Sequence, residues 1–169
     1  APRLWGKLRA NALGQITLNL DFLNDMPKLF GNADPLRYAQ SLPNVQTSGE
    51  LDAGLHIEGC DNAHNEMSLN GVPVHNAAHL LGFFSVFNAS HYAQMRFSPT
   101  ALTAGNANRL GGFVDLCSPD TISRRFAAEG SVGLISSQAT LRVPIGTKSE
   151  LMLSGRSAYI NLLYHQLLR

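Results

Sequence analysis

The amino-acid sequence predicts an α+β fold, in which a small mixed-sheet domain with short helices precedes long antiparallel strands. Short apolar runs with alternating spacing recur in residues 15–122, separated by polar turns rich in Gly, Asn and Pro. A short segment in this region carries the start and stop signals of a helix. After about residue 123 the pattern changes to longer strands of regular alternation. We therefore expect an N-terminal extension at 1–14, one domain at 15–122 and a different β-structure at 123–169.

Composition excludes several classes of function. The chain has 169 residues, a net charge of +1 and 15% charged residues, against about 25% in a typical soluble protein. Its scattered basic residues form no stripe that would favour a nucleic-acid partner. No stretch approaches the roughly 20 consecutive apolar residues of a membrane helix.

The elements of the first domain follow from local patterns. Apolar residues alternate from Ile16 to Phe22, which predicts a strand. Asp34 is suited to cap a helix, Pro35 to occupy its first position, and Pro43 to lie just past its end.

Further strands are predicted on either side of a polar turn. The segments "GLHIEG" and "EMSLNGVPV" predict two strands of one hairpin or meander, separated by the polar residues after Gly59. "HYAQMRFSPT" and "GFVDLCSPD" predict two more strands, with the Gly- and Asn-rich loop "ALTAGNANRLGG" between them.

The last part of the chain predicts a long β-hairpin. "ISSQATLRVPIG" alternates apolar and polar residues, and the tight turn "PIGTKS" leads into a second long run. An open-edged hairpin of this length would pair readily with other chains. The pattern therefore favours the first two or three antiparallel strands of a transmembrane β-barrel.

Residue chemistry does not predict an enzyme, a cofactor or a metal site. His75 and His79 form an i, i+4 pair that could bind zinc on a helix, but the motif lacks the Glu of H-E-x-x-H. No G-x-S-x-G segment is present. Cys60 and Cys117 are too far apart for a zinc motif, and their spacing leaves one disulfide or two thiols open.

Five blocks of sequence resemble the plug domain and first barrel strands of TonB-dependent outer-membrane receptors of the Bacteroidetes type. They are "MPKLFGNADPLRYAQSLPNVQ", "GLHIEGCDNAHNEMSLNGVPVHNAAHLLGFFSVFN", "ANRLGGFVDLCSPD", "EGSVGLISSQATLRVPIG" and "SELMLSGRSAYINLL". The resemblance covers about residues 15–163, and its central block is the most specific part. It departs from the family pattern at Glu58, Cys60, Asn70 and Cys117.

The resemblance implies a gate rather than an enzyme. A barrel of about twenty-two strands would enclose the plug, and TonB with the inner-membrane energising complex would remodel the plug during substrate uptake. The implied location is the bacterial outer membrane, with the plug inside the barrel and accessible from the periplasm. Implied partners are the rest of the barrel, a small-molecule, glycan or peptide substrate, and a surface lipoprotein.

The resemblance also assigns expected roles to particular residues. Asn70, Gly71 and Pro73 form the turn that begins an apical loop. The candidates for facing substrate or the barrel lumen are His75, Asn76, His79, Phe83 and Phe84. Arg109 is a candidate for contact with barrel carboxylates. Two unusual cysteines in neighbouring motif strands favour a Cys60–Cys117 disulfide.

Two other functions fit parts of the sequence. A small zinc hydrolase would use His75 and His79. A secreted β-rich binding module, for instance for glycans, would use residues 126–163 to close a soluble fold instead of leaving open-edged strands.

Overall fold

The computed structural model describes residues 8–11, 14–21, 23, 33–47, 54–75, 78–79, 84–100, 109–133 and 136–159. These residues form two compact units: the first contains the described residues up to 23 and from Asp34 to Pro119, and the second contains Ala33 and the described residues from Asp120 onward. Within the described ranges, none of the helices has the length and apolar character needed to cross a membrane.

In the ranges that the structure describes, the first unit consists of short strands and one short α-helix. The strands that the structure describes here are β1 (Leu8–Ala10), β2 (Ile16–Asn19), β3 (Val45–Gln46), β4 (His56–Ile57), β5 (Glu66–Leu69), β6 (Val72–Pro73), β7 (Ala78–His79), β8 (Phe84–Ser85), β9 (Gln94–Ser98) and β10 (Phe113–Cys117). Helix α1 spans Pro35–Ala39, and two 3₁₀ turns span Asn62–His64 and Ala89–His91.

Helix α1 begins and ends as its sequence predicts. The Asp34 side chain accepts a hydrogen bond from the Leu36 backbone N–H at 2.9 Å, and Pro35 occupies the first turn. Pro lacks the backbone N–H that a helix interior would require, so this position suits it. Beyond the helix, Asn44 has a φ of 70°, and the preceding Pro43 supplies the fixed φ that a turn of this kind uses.

Six strands form the main sheet, in the order β1-β2-β9-β10-β5-β6. Strand β10 pairs antiparallel with β9 and parallel with β5. The expected hairpin between "GLHIEG" and "EMSLNGVPV" is wrong, because β4 pairs with β3 and β5 pairs with β10 and β6. Two parallel strands need a long connection between them, so β5 and β10 lie far apart in the sequence. The alternation of residues within each strand therefore does not reveal that these two strands pair.

The apolar core lies on one face of this sheet. Met95 and Phe97 on β9 stand opposite Leu116 and Val114 on β10, and all four side chains are 0% exposed. Leu18 on β2 continues the row beside Met95. Full burial of such a side chain contributes about 1.5–3 kcal/mol, so this row is a main source of stability for the unit.

The second unit is a three-stranded antiparallel sheet of β11 (Ala127–Val132), β12 (Ser136–Ile145) and β13 (Ser149–Ala158). The predicted long hairpin is confirmed, since β12 and β13 pair without a break from Ile145 opposite Ser149 to Ser136 opposite Ala158.

The two faces of this second sheet differ in polarity. Successive side chains of a strand point to opposite faces, so Ala139, Leu141, Val143 and Ile145 share one face of β12. Leu153 and Leu151 stand opposite Leu141 and Val143 on the same face. Leu141, Ile145, Leu151 and Leu153 are 42%, 56%, 43% and 54% exposed.

The other face of the sheet is polar and less exposed. Ser136 and Thr140 are 1% and 3% exposed, and Gln138 and Arg142 share their face of β12. Glu129 on β11 stands opposite Thr140. The usual arrangement of a half-buried sheet, with the apolar face covered and the polar face exposed, is therefore reversed in this unit.

Candidate functional site

The turn at Asn70 and Gly71 joins β5 to β6. Their φ angles are 49° and 79°, and Leu69 pairs directly with Val72 across the turn. Two consecutive residues with positive φ define the tight hairpin turn for which Asn-Gly is the preferred sequence. The chain leaves this turn through Pro73 toward the segment that begins at His75.

Asn70 attaches the turn to the end of strand β10. Its side-chain oxygen accepts a hydrogen bond from the Ser118 backbone N–H at 2.8 Å, and its amide donates to the Ser118 hydroxyl at 3.0 Å. Its backbone N–H donates to the Leu116 carbonyl at 2.9 Å. Three hydrogen bonds thus connect one turn residue to β10 and the residue that follows it.

A buried carboxylate attaches the same turn to the middle of β10. Asp115 is 2% exposed, and its Oδ1 accepts hydrogen bonds from the Ser68 hydroxyl at 2.6 Å and the Gly71 backbone N–H at 2.9 Å. Its Oδ2 lies 3.8 Å from Nη1 of Arg96 and accepts a bond from the Cys117 thiol at 3.3 Å. These partners compensate the cost of burying a charged group.

This arrangement could be found only in part from the sequence. Asp115 interrupts an apolar strand, "FVDLC", and a charge within such a run indicates a residue with defined partners. Its hydrogen-bond donors, Ser68 and Gly71, lie 47 and 44 residues away in the chain. The sequence-based reasoning assigned no role to Asp115, Ser68 or Arg96.

The expected disulfide between Cys60 and Cys117 is absent, and both residues are thiols. Cys60 lies beside Gly111, before the start of β10, whereas Cys117 is the last residue of that strand. The strand alone covers about 13 Å at about 3.3 Å per residue. Bridged cysteines need Cα atoms within about 7 Å, so the two positions are too far apart.

The residues predicted to face substrate all follow the Asn70–Gly71 turn in the sequence, between His75 and Phe84. His75 is exposed, and the backbones of His79 and Phe84 pair across β7 and β8. Asn76 and Phe83 lie outside the described residues. Because His79 belongs to a strand, His75 and His79 do not stand on successive turns of a helix, and the helical zinc pair is wrong.

The far end of this segment is anchored by aromatic packing. Phe87 is 3% exposed and contacts Tyr92 edge to face, with ring centroids 6.1 Å apart. Burial raises the pKa of the Tyr92 hydroxyl. Between them, the Asn88 side chain accepts a hydrogen bond from the Ser90 backbone N–H at 3.1 Å. These contacts hold residues 87–92 together at the far end of the segment.

Arg109 is held within the first unit. Its Nη1 donates to the Ala63 carbonyl at 3.0 Å, and its Nε lies 3.7 Å from a carboxylate oxygen of Glu66. The predicted contact with barrel carboxylates stays a prediction.

Asn65 binds together the segments at the start of β10. Its side-chain oxygen accepts from the Gly112 backbone N–H at 2.8 Å, and its amide donates to the carbonyls of Leu55 and Asp61. A Cβ atom on Gly111 would collide with the Asn65 side-chain oxygen and crowd Cys60. The missing side chain of Gly111 therefore permits this close approach.

Candidate metal ligands are not clustered in the described ranges. No group of three or more His, Cys, Asp or Glu residues there is placed to hold a metal ion. The described arrangement positions a loop through hydrogen bonds and packing.

Comparison with known proteins gives a likeness of fold. No family model and no curated protein matches the sequence. Among solved structures, the siderophore receptor PirA from Pseudomonas aeruginosa is similar, with a TM-score of 0.56 and 14% sequence identity. The match covers 88% of this chain and 29% of the receptor chain. The chain thus has a fold similar to that of about three tenths of this siderophore receptor.

Proposed function

We propose that this chain is the gating plug, with the first barrel strands, of a TonB-dependent outer-membrane transporter. The plug would close the barrel at rest and move when TonB and the inner-membrane energising complex supply energy for uptake. The protein would therefore act in the bacterial outer membrane as a receptor and transporter, without catalysis. The domain limits of 15–122 for the plug and 123–169 for the barrel strands belong to this proposal.

The observation that carries the proposal is the likeness of fold to a siderophore receptor over 88% of the chain. A likeness at 14% identity concerns architecture alone and leaves the substrate open. A small molecule, a glycan or a peptide fits the proposal equally, and so does a surface lipoprotein as an additional partner.

The polarity of the second unit supports the same proposal independently. Barrel strands in an outer membrane alternate between apolar residues facing lipid and polar residues facing the lumen. The apolar row with the exposed Leu141, Ile145, Leu151 and Leu153 is the face expected to meet lipid. The opposite row, with Gln138 and Arg142, is the face expected to line the lumen. A soluble binding module would bury the apolar row instead.

The anchored turn supports the assignment of a substrate-responsive loop. The segment that contains His75, Asn76, His79, Phe83 and Phe84 begins directly after the Asn70–Gly71 turn and Pro73. In the proposed mechanism, substrate contacts this loop at the outer end of the plug, and the turn transmits its displacement to the sheet.

A matched pair of substitutions in the full gene product tests the membrane assignment. Leu141→Arg places a charge on the apolar face, and a charge on a lipid-facing site costs about 2–4 kcal/mol near the bilayer centre. Gln138→Arg places the same charge on the polar face. We expect Leu141→Arg to reduce the amount of heat-modifiable protein in purified outer membranes, and Gln138→Arg to leave it close to the parent level.

Equal amounts of the two variants would contradict the membrane assignment. Transport itself is tested by uptake of iron-loaded siderophores in cells with and without TonB. Uptake that persists without TonB would contradict the energised gate, whereas a lack of uptake with siderophores alone would move the search to glycans and peptides.

A further inference from the structure

We infer that Asp115 is a positioning residue that locks the Asn70–Gly71 turn onto β10. The turn can then leave β10 only if this lock opens together with the hydrogen bonds that Asn70 makes to Leu116 and Ser118. The inference rests on the proposed function, because it assigns the lock to the resting state of the plug. It concerns one residue, Asp115, whose contacts all lie within the first unit.

The hairpin that carries the turn is weak by itself. Strands β5 and β6 share two residue pairs, Ser68 with Pro73 and Leu69 with Val72. Proline has no backbone N–H to donate, and Val72 is 65% exposed, so its side chain adds little packing. A two-stranded hairpin without further packing is marginally stable in water. The position of the turn must therefore depend on bonds to other elements.

Asp115 makes such contacts to three elements: the turn, β5 and β9. Its Oδ1 accepts from Gly71 in the turn at 2.9 Å and from Ser68 on β5 at 2.6 Å. Its Oδ2 faces Arg96 on β9 at 3.8 Å. Hydrogen bonds to an ionised carboxylate are about twice as strong as neutral ones. A single carboxylate on β10 thus connects the turn with β10 and with its two neighbours, β5 and β9.

The proposed lock would alternate between the closed arrangement, which the structure contains, and an open one. In the closed arrangement, the Gly71 N–H fills a lone-pair position of a carboxylate that is 2% exposed. When the turn moves away, that position loses its donor while Ser68 and Arg96 keep the charge in place. The closed arrangement is favoured because burying a hydrogen-bond acceptor without its donor costs free energy. Substrate binding at the loop can offset this preference.

Hydrogen exchange of the full gene product in outer-membrane vesicles tests the lock directly. Asp115→Ala removes both oxygens, whereas Asp115→Asn keeps one oxygen that can accept from Gly71. Asp61→Ala is the matched control, because Asp61 is exposed and its side chain makes no cap bond. We expect amides in residues 66–75 to exchange about tenfold faster in Asp115→Ala, which corresponds to the loss of one charge-assisted bond.

The lock predicts an effect confined to residues 66–75, which are β5, the turn, β6 and the two residues that follow. Exchange in residues 94–98 should stay at the parent rate in every variant, and Asp115→Asn should recover most of the protection in 66–75. An equal increase in 66–75 and 94–98 would overturn the inference, because it would mean that Asp115 stabilises the whole sheet. Unchanged exchange in 66–75 for Asp115→Ala would overturn it too.

A permeability assay tests the role of the lock in closing the plug. Vancomycin is excluded by an intact outer membrane, so cells that produce the full gene product should become more sensitive to it when the plug loosens. We expect a lower inhibitory vancomycin concentration with Asp115→Ala than with Asp61→Ala. If exchange changes as expected but sensitivity does not, the role in gating is wrong. Failure of the proposed function itself is detected separately, by the Leu141→Arg and Gln138→Arg pair.

Discussion

Replacement of Gly112 by Ala provides a quantitative test of the packing at the start of β10. A Cβ atom at Gly112 would lie 2.6 Å from Cγ2 and 2.7 Å from Cδ1 of Ile57. Ordinary contacts of a Cβ atom begin at 3.4 Å, so the two residues must separate by about 0.8 Å, the difference between 3.4 and 2.6 Å. Ile57 is 0% exposed and β-branched, which leaves it little freedom to move.

The expected cost follows from this geometry. Insertion of a methyl group into a packed core typically destabilises a protein by about 1–3 kcal/mol. Since 1.4 kcal/mol corresponds to a tenfold change in an equilibrium constant, local opening of the sheet should become about 5- to 150-fold more frequent.

The Cys117 thiol reports this opening. It is 6% exposed at the end of β10, so a maleimide can react with it only when the strand opens. The assay measures the alkylation rate of Cys117 in the full gene product, in a Cys60→Ser background. Gly155→Ala is the matched control, because its Cβ would meet no atom within 4 Å. We expect faster alkylation for Gly112→Ala and no change for Gly155→Ala.

A double-mutant cycle separates crowding from other causes. Ile57→Ala removes the atoms that the new methyl group meets, so the double variant Ile57→Ala/Gly112→Ala should be more stable than the sum of the single effects predicts. Strictly additive effects, or an alkylation rate for Gly112→Ala within about twofold of the parent, would refute the reasoning, since even 1 kcal/mol gives about fivefold.

Two further predictions concern a strained turn and a buried phenol. Glu58 has a φ of 53°, a conformation that Asn tolerates better than Glu. Glu58→Asn should therefore slow the alkylation of Cys117, whereas the control Glu129→Asn in β11 should leave the rate unchanged. Faster alkylation of Cys117 in Glu58→Asn would contradict this prediction. Burial raises the pKa of the Tyr38 hydroxyl above its ordinary value of 10.0. The folded state therefore retains this proton longer than the unfolded state, so the stabilisation is present below pH 10 and is lost as pH rises through the folded pKa. In an absorbance titration near 295 nm, the ionisation step that disappears in Tyr38→Phe should have its midpoint above pH 10. If the missing step has its midpoint near the ordinary tyrosine pKa of 10.0, the expected effect of burial is contradicted.

The sequence by itself determined the elements whose causes are local. Helix α1 follows from the N-cap at Asp34 and the proline after it, because a cap acts within one turn of the chain. The tight turn at Asn70 and Gly71 follows from the two residues that tolerate positive φ. The long hairpin β12–β13 follows from alternation on both sides of a short turn.

Only the tertiary structure decided which distant segments meet. Strand β5 pairs with β10, and β4 with β3, although alternation within each strand is compatible with several partners. The same limit applies to the candidate site. The expected Cys60–Cys117 bridge is absent because Cys60 lies beside Gly111, before the start of β10, whereas Cys117 is the last residue of that strand. The carboxylate of Asp115 meets donors 44 and 47 residues away in the chain, because the pairing of complete strands, and not local spacing, brings those residues together.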